Sequence, residues 1–260
     1  SYNLLIPMGF SVKYKLPSQF IVAPGGATTL KMYGNVIFPS NLKTVSGDPF
    51  SVPFENISNP WYMVVERQAG GEKLVLFSNS KMSLQPKSFV VDFSGSQSPT
   101  GLFAGTPEWM GVYITEHNIF LPSDFDEKAQ LSLTEPIVLT YVAGEPGFQP
   151  AWITAGGLSL DVSATFESAN SEPYYARINT FKGKLASLAL KIEDNSLSNS
   201  KFTGFLKVPF LDANRKLDWV APIAANGIQT AYFHEDSIRA FGKTYNPLDT
   251  LSKVKLEINQ

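Results

Sequence analysis

Hydrophobic and polar residues alternate along much of the chain with the period of a β-strand. In residues 157–166 every second position is apolar or small, namely Leu158, Leu160, Val162, Ala164 and Phe166. Successive side chains of a strand point to opposite faces, so this alternation is typical of a strand with one buried face. The same pattern recurs in three further segments, 87–93, 187–194 and 254–260. The pattern therefore predicts a chain that is rich in β-strands.

Turn-forming stretches separate these segments, and long helical periodicity is absent from the sequence. The stretches are rich in Gly, Pro and Asn, whose backbone preferences interrupt regular strands. The two best helix candidates are short: residues 123–130, which begin at the capping residue Ser123, and residues 234–241. We therefore predict an all-β fold, an antiparallel β-sandwich formed as one large or two similar sandwiches, with few short helices.

A domain boundary is predicted in the stretch "AGEPGFQP", residues 143–150, because two prolines and two glycines lie there between apolar runs. This boundary divides the chain into two sandwich-like domains, 1–145 and 146–260. A single domain is also compatible with 260 residues. Two nine-residue segments with similar spacing, 31–39 and 201–209, each carry a central glycine and end in proline, and duplication and coincidence both explain them.

Charge and composition limit the partners that the chain is expected to have. The formal charge is −2, with 21 basic and 23 acidic residues interspersed, so no basic surface for a phosphate backbone is expected. No stretch reaches the length of about 20 apolar residues that a membrane-spanning helix needs. Only 17% of residues are charged while 13% are aromatic, a balance common in extracellular all-β proteins. We therefore predict an extracellular or surface-associated location.

The sequence carries no motif that places a catalytic centre. Cysteine is absent, which excludes disulfides and thiolate chemistry. The glycine-rich loops of nucleotide sites, the histidine pair of zinc proteases and the serine elbow of hydrolases are also absent. The two histidines are His117 and His234. Glu116 and His117 are adjacent in a predicted strand and should point to opposite faces, so a structural role is favoured over a base with a tuning carboxylate. Enzymatic activity is not indicated.

An acidic turn follows this predicted strand and is the one candidate metal site. Asp124, Asp126 and Glu127 are spaced as oxygen ligands for calcium often are, although calcium takes six to eight oxygens and this turn offers three carboxylates. Solvated carboxylates at the start of a short helix explain the same residues. No cofactor is predicted apart from this possible calcium ion.

Tryptophans near the starts of predicted strands allow two interpretations. Trp109 and Trp152 each follow a proline by two residues, and Glu108 precedes the first of them. An indole buries a large apolar area, so a core role is favoured, but the same ring at a strand end can stack on a sugar. Glu108 with a second carboxylate would then resemble the acid pair of a glycosidase.

These observations predict a non-enzymatic structural, adhesive or binding module of a larger extracellular or particle-associated assembly. Its expected partners are other protein subunits or surface glycans. The alternative is a carbohydrate-active β-sandwich enzyme or a carbohydrate-binding domain that uses Trp109, Trp152 and Glu108. Two opposed carboxyls in a groove would favour the enzyme, whereas buried tryptophans would favour the module.

Overall fold

The computed structural model describes most of the chain and contains only β-structure there. The described residues are 3–5, 11–22, 28–39, 41–57, 62–65, 71–77, 80–92, 108–123, 131–133, 135–166, 175–178, 181–207, 216–224, 227–228, 232–233, 238–240 and 243–245. Their strands are β1 (Asn3–Leu5), β2 (Ser11–Val22), β3 (Thr28–Ile37), β4 (Ser51–Ile57), β5 (Tyr62–Val65), β6 (Leu74–Val75), β7 (Ser83–Asp92), β8 (Gly111–Leu121), β9 (Leu131–Leu133), β10 (Ile137–Val142), β11 (Ala151–Ile153), β12 (Leu158–Thr165), β13 (Tyr175–Ile178), β14 (Phe181–Glu193), β15 (Ser196–Lys207), β16 (Lys216–Ala224), β17 (Gly227–Ile228), β18 (Tyr232–Phe233), β19 (Ile238–Ala240) and β20 (Lys243–Tyr245). None of these residues is helical.

The strands form antiparallel sheets, of which the largest has fourteen strands. Its main path is β17-β16-β15-β14-β12-β11-β8-β7-β5, and β10 lies beside β11 on the same edge of β8. The sheet curls into a half-barrel. Strands β1 to β4 form a second sheet in chain order, and β19 pairs with β20. The all-β, antiparallel prediction is therefore confirmed, while the more specific sandwich stays a prediction.

The strands predicted from alternation are confirmed where the structure describes them. In β12, Leu158, Leu160 and Val162 are fully buried while Asp161 and Ser163 are exposed. The predicted segments 187–194 and 87–93 supply β14 and β7, whose buried apolar side chains include Leu188, Leu190, Ile192, Phe89 and Val91. The segment 254–260 lies outside the described residues. β12 and β14 bury one face, as the period-2 pattern required, whereas the end of β7 is buried on both faces.

The helix predicted at 234–241 is wrong in its described part. Residues 238–240 form strand β19, in which Ile238 pairs with Tyr245 and Ala240 with Lys243 of β20. Cross-strand partners outweigh the weak helical preference of such a short segment, as is usual for β-branched and aromatic residues. Of the other predicted helix, 123–130, only Ser123 is described, and it lies in a bend.

Each glycine of the nine-residue segments lies beside a register shift on one side of its strand. Gly34 in β3 pairs with Phe54 beside a register shift in β4, and Gly204 in β15 pairs with Leu185 beside a shift in β14. A glycine next to a bulge is expected, since it accepts close backbone approach. Pro39 follows β3 by two residues, whereas Pro209 lies outside the described residues. Duplication of the two segments stays a prediction, as does the division into 1–145 and 146–260.

Among the described tryptophans, Trp219 lies fully inside the core. The Trp219 side chain of β16 is 1% exposed and belongs to the main hydrophobic cluster. It stands directly opposite Gly204 of β15. A Cβ atom on Gly204 would lie 2.3 Å from Trp219 Cζ2 and 2.2 Å from the backbone oxygen of Lys184. The absence of a side chain at residue 204 therefore makes the space that the indole occupies.

In strands β7 and β8 the alternation of core side chains shifts by one residue at the same level of the sheet. In β7 the core residues Leu84 and Phe89 are five positions apart, and in β8 Ile114 and Ile119 are five positions apart. Strict alternation would require an even separation. The ladder between the strands shifts by one residue at Lys87 and shifts back at Thr115. Paired bulges thus keep apolar side chains on one face along both strands.

The turn between β14 and β15 is hydrogen-bonded to the beginning of β12 through side chains. Asp194 and Asn195, with φ of 48° and 64°, form the tight turn between β14 and β15. The Leu158 N–H donates to Asn195 Oδ1 at 2.8 Å, and the Asp194 N–H donates to Ser159 Oγ at 3.0 Å. These bonds fix the beginning of β12 relative to the turn, and β12 forms one wall of the site described next.

Candidate functional site

Two successive strands share one edge of β8, and the segment between them leaves the sheet. β10 pairs with β8 over residues 116–121, and β11 pairs with it over 112–114. Residues 143–150 connect the two. They begin at the bulge, where the Ala143 N–H donates to the Thr115 oxygen at 2.7 Å. The stretch predicted as a domain boundary is therefore the segment between β10 and β11.

Pro150 explains why β11 does not extend further along β12. Thr154 and Gly157 exchange backbone hydrogen bonds at 3.0 and 3.2 Å, so the bonded pairs of this hairpin fall at every second position. In this register Trp152 and Ser159 form the next hydrogen-bonded pair. Pro150 and Asp161 stand at the position of the pair after it. Proline has no N–H to donate, so the ladder between the two strands ends at this position.

The separation leaves two strand edges that face each other. Because Ala143 bonds to Thr115, the alternation places the N–H and C=O groups of Val138 and Thr140 on the side of β10 away from β8. On β12, the Phe166 N–H bonds to the Ala186 oxygen of β14 at 2.8 Å. By the same alternation, the N–H and C=O groups of Ser163 and Thr165 point away from β14. Among the described residues, no strand pairs with either edge at these positions.

A cleft of about 440 Å³ lies between these edges. Its described lining comes from β10, from the 145–148 segment and from residues 163–165 of β12. Leu139, Phe148 and Ala164 pack against the hydrophobic core, so they form the inner side of the cleft. Val138 and Thr140 are exposed on its outer side. The volume lies within the range of small-ligand sites.

The described lining is almost uncharged. Glu145, which is exposed, is its one carboxylate, and the described lining includes no lysine or arginine. Burial raises the pKa of Tyr141 to about 12, so its hydroxyl stays protonated at neutral pH. The cleft therefore offers apolar surface, hydroxyl groups, backbone edges and one negative charge.

His117 lies behind the cleft, within the core. Its ring is 0% exposed and stands 5.2 Å from the Tyr141 ring and 6.3 Å from the Phe148 ring, centroid to centroid. Neither ring nitrogen has a hydrogen-bond partner among the described residues. Burial lowers the pKa of His117 to about 4, so the imidazole is neutral at pH 7. Glu116 is the neighbouring ladder position, and the side chains of the two residues point to opposite faces, as predicted.

The structure brings two of the predicted ligand-binding residues to the same end of β8. Trp109 is half-buried, and its Cζ2 would lie 2.9 Å from a Cβ atom on Gly111, the first residue of β8. Trp152 of β11 is also half-buried and pairs with Tyr113, two residues further along β8. Glu108 is exposed beside Trp109. All three are distant in register from the cleft walls, so they form a separate location.

The predicted metal ligands Asp124, Asp126 and Glu127 lie outside the described residues, and the calcium site stays a prediction. Within the described part of the chain, no group of three or more histidine or acidic residues is placed to hold a metal ion. That part also contains no helix with the length and apolar character needed to cross a membrane.

Comparison with known protein families, with curated proteins and with solved structures finds no match to this chain. The candidate site therefore rests on the geometry of the cleft alone.

Proposed function

We propose that the chain is a non-catalytic binding module of a larger extracellular or particle-associated assembly, and that its partners are other protein subunits. The cleft between β10 and β12 supports the proposal. Backbone groups of Val138, Thr140, Ser163 and Thr165 face this cleft with no partner strand among the described residues. Open strand edges readily pair with another polypeptide, and proteins commonly protect them unless they are used. We also propose that the sheets of this module pack as a β-sandwich.

The chemistry of the lining favours binding over catalysis. Hydrolysis of a glycoside uses two carboxyl groups on opposite sides of the bond, and Glu145 is the one carboxylate in the described lining. A general base needs a pKa near the working pH and contact with the substrate, whereas His117 is buried with a pKa of about 4. Apolar side chains with a few hydroxyls are what a binding surface requires.

Photo-crosslinking from the cleft tests the proposal. A photoreactive amino acid at Val138, which is 49% exposed on the cleft wall, is expected to trap one dominant protein in the native assembly. Val45 is the matched control, because it is 65% exposed in a turn that does not line the cleft. Crosslinked products are identified by mass spectrometry. Equal, diffuse labelling from both positions would contradict the proposal.

Glycan binding is a second candidate, and the placement of Trp109 and Trp152 supports it. Both indoles are partly exposed at one end of β8, with Glu108 beside them, and aromatic faces of this kind can stack on sugars. If this function is right, a glycan that binds the wild type should bind about tenfold more weakly to Trp109→Ala and to Trp152→Ala, which corresponds to about 1.4 kcal/mol. Glycan-array screening followed by calorimetry measures this. Unchanged glycan affinity in both variants would exclude the candidate.

A further inference from the structure

We infer that the cleft binds one extended peptide segment of a partner protein, which inserts between β10 and β12 as an added strand. The inference rests on the proposed function and specifies how the partner is recognised. The edges at Val138 and Thr140 on one side and at Ser163 and Thr165 on the other offer donors and acceptors at every second residue. An extended backbone is the group that satisfies such an array along its length.

The position of the inserted strand follows from the sheet order. β11 pairs with β12 only over residues 158–160, and Pro150 ends this pairing. Beyond it, residues 161–165 of β12 keep their pairing with β14 on one side, and residues 163–165 line the cleft on the other. A peptide of about five residues, at about 3.4 Å per residue, matches this length. It would lie in the cleft between β10, which continues along β8 in line with β11, and β12.

The direction of the peptide is also constrained. β10 and β11 each run antiparallel to β8, and β12 runs antiparallel to β11, so β10 and β12 run in opposite directions. One inserted strand must therefore be antiparallel to one wall and parallel to the other. The Val142 oxygen of β10 already accepts the Glu145 N–H at 3.1 Å. Antiparallel pairing with β12, whose edge is less occupied, is the arrangement that we infer, since antiparallel ladders are also slightly more stable.

The lining specifies the side chains of the peptide. The inner side is formed by Leu139, Phe148 and Ala164, so an inward-pointing residue should be apolar. Glu145 carries the one charge of the described lining and is exposed at the end of the cleft. A lysine or arginine is therefore expected in the peptide at that end. The partner segment is a β-prone stretch with one basic residue.

Selection from a random heptapeptide phage library, followed by fluorescence anisotropy of the synthesised peptides, tests the inference. Selected peptides should bind at least tenfold more weakly to Ser163→Pro, which lacks the cleft-facing N–H. They should bind Ser163→Ala as they bind the wild type, because that variant keeps the N–H and loses only the hydroxyl. Glu145→Lys should remove the preference for a basic residue, while Glu72→Lys, which alters an exposed carboxylate that does not line the cleft, should not.

Amide hydrogen exchange of the wild-type protein gives a readout that does not depend on the folding of a proline variant. On peptide binding, the amides of Val138, Thr140, Ser163 and Thr165 should exchange at least tenfold more slowly. The Ala164 amide, which the register turns toward β14, should change little. Peptides that bind without protecting the Ser163 and Thr165 amides would overturn strand insertion.

The outcomes separate this inference from the proposed function. If a partner is trapped at Val138 but library peptides bind Ser163→Pro as tightly as the wild type, the proposed binding module stands and strand insertion is overturned. A dimer of this chain that Ser163→Pro dissociates would replace the foreign peptide with a second copy and overturn the stated partner. Failure to select any peptide that competes at the cleft would likewise overturn the inference.

Discussion

Replacing Trp219 with alanine is expected to lower the free energy of unfolding by about 3 to 5 kcal/mol. The indole is 1% exposed within the main hydrophobic cluster, so its removal forfeits the buried area and leaves a cavity. Guanidinium denaturation at pH 7, followed by tryptophan fluorescence and by circular dichroism, measures the change. A loss below about 1 kcal/mol would show that the cluster does not depend on this side chain.

Two further variants show whether packing against Gly204 is the cause. Gly204→Ala should destabilise the wild type, since its Cβ would lie 2.3 Å from Trp219 Cζ2 and 2.2 Å from the Lys184 oxygen. Its cost should be smaller in the Trp219→Ala background, where one of the two clashes is gone, and a double-mutant cycle reports the difference. Trp219→Phe should cost less than Trp219→Ala, because Nε1 is buried without a hydrogen-bond partner among the described residues.

Acidification from pH 7 to pH 4 is expected to remove about 3 kcal/mol of stability through His117. Burial lowers the pKa of His117 in the folded chain to about 4, from an ordinary value of 6.5. Each unit of difference corresponds to about 1.4 kcal/mol. Above pH 6.5 the imidazole is neutral in both states and its contribution is complete. Between pH 6.5 and pH 4 the unfolded chain binds the proton first, so stability falls, and below pH 4 this loss levels off.

His117→Phe is the control for this pH dependence. Phenylalanine keeps an aromatic ring in the ladder between Pro86 of β7 and Tyr141 of β10 and does not titrate. The difference in unfolding free energy between the variant and the wild type should therefore change by about 3 kcal/mol from pH 7 to pH 4. Urea denaturation at half-unit pH steps measures it. If the unfolding free energies of the two proteins fall equally with pH, protonation of His117 does not destabilise the folded state, and the prediction is wrong.

The strands were predictable from the sequence because burial of one face requires apolar residues at every second position, and this alternation is visible within a few residues. Leu158, Leu160 and Val162 alternate with exposed residues, and the structure buries them as predicted. The helix predicted at 234–241 is wrong at residues 238–240, because the pairing of Ile238 with Tyr245 depends on a partner strand that local propensity does not describe.

The cleft could not be predicted because it depends on how strands are ordered. Residues 143–150 carried a signal, two prolines and two glycines, and it was interpreted as a boundary between domains. Only the register shows that the pairing with β12 ends at Ala151 and Leu160, where Pro150 would be next. The burial of the tryptophans could not be predicted either. Trp219 is in the core, whereas Trp109 and Trp152 are half-buried, and the neighbouring residues in the sequence do not distinguish these positions.

The paired bulges at Lys87 and Thr115 restrict how the gene for this protein can change in length. The ladder between β7 and β8 shifts by one residue at the first bulge and returns to register at the second. Loss of the Lys87 codon alone would keep every pair on both sides of it and leave Thr115 as a single bulge, which an antiparallel ladder accommodates. Loss of both codons together would restore one continuous ladder. A one-residue deletion at either bulge should therefore be tolerated better than one elsewhere in these strands, where it would shift the register of every pair that follows.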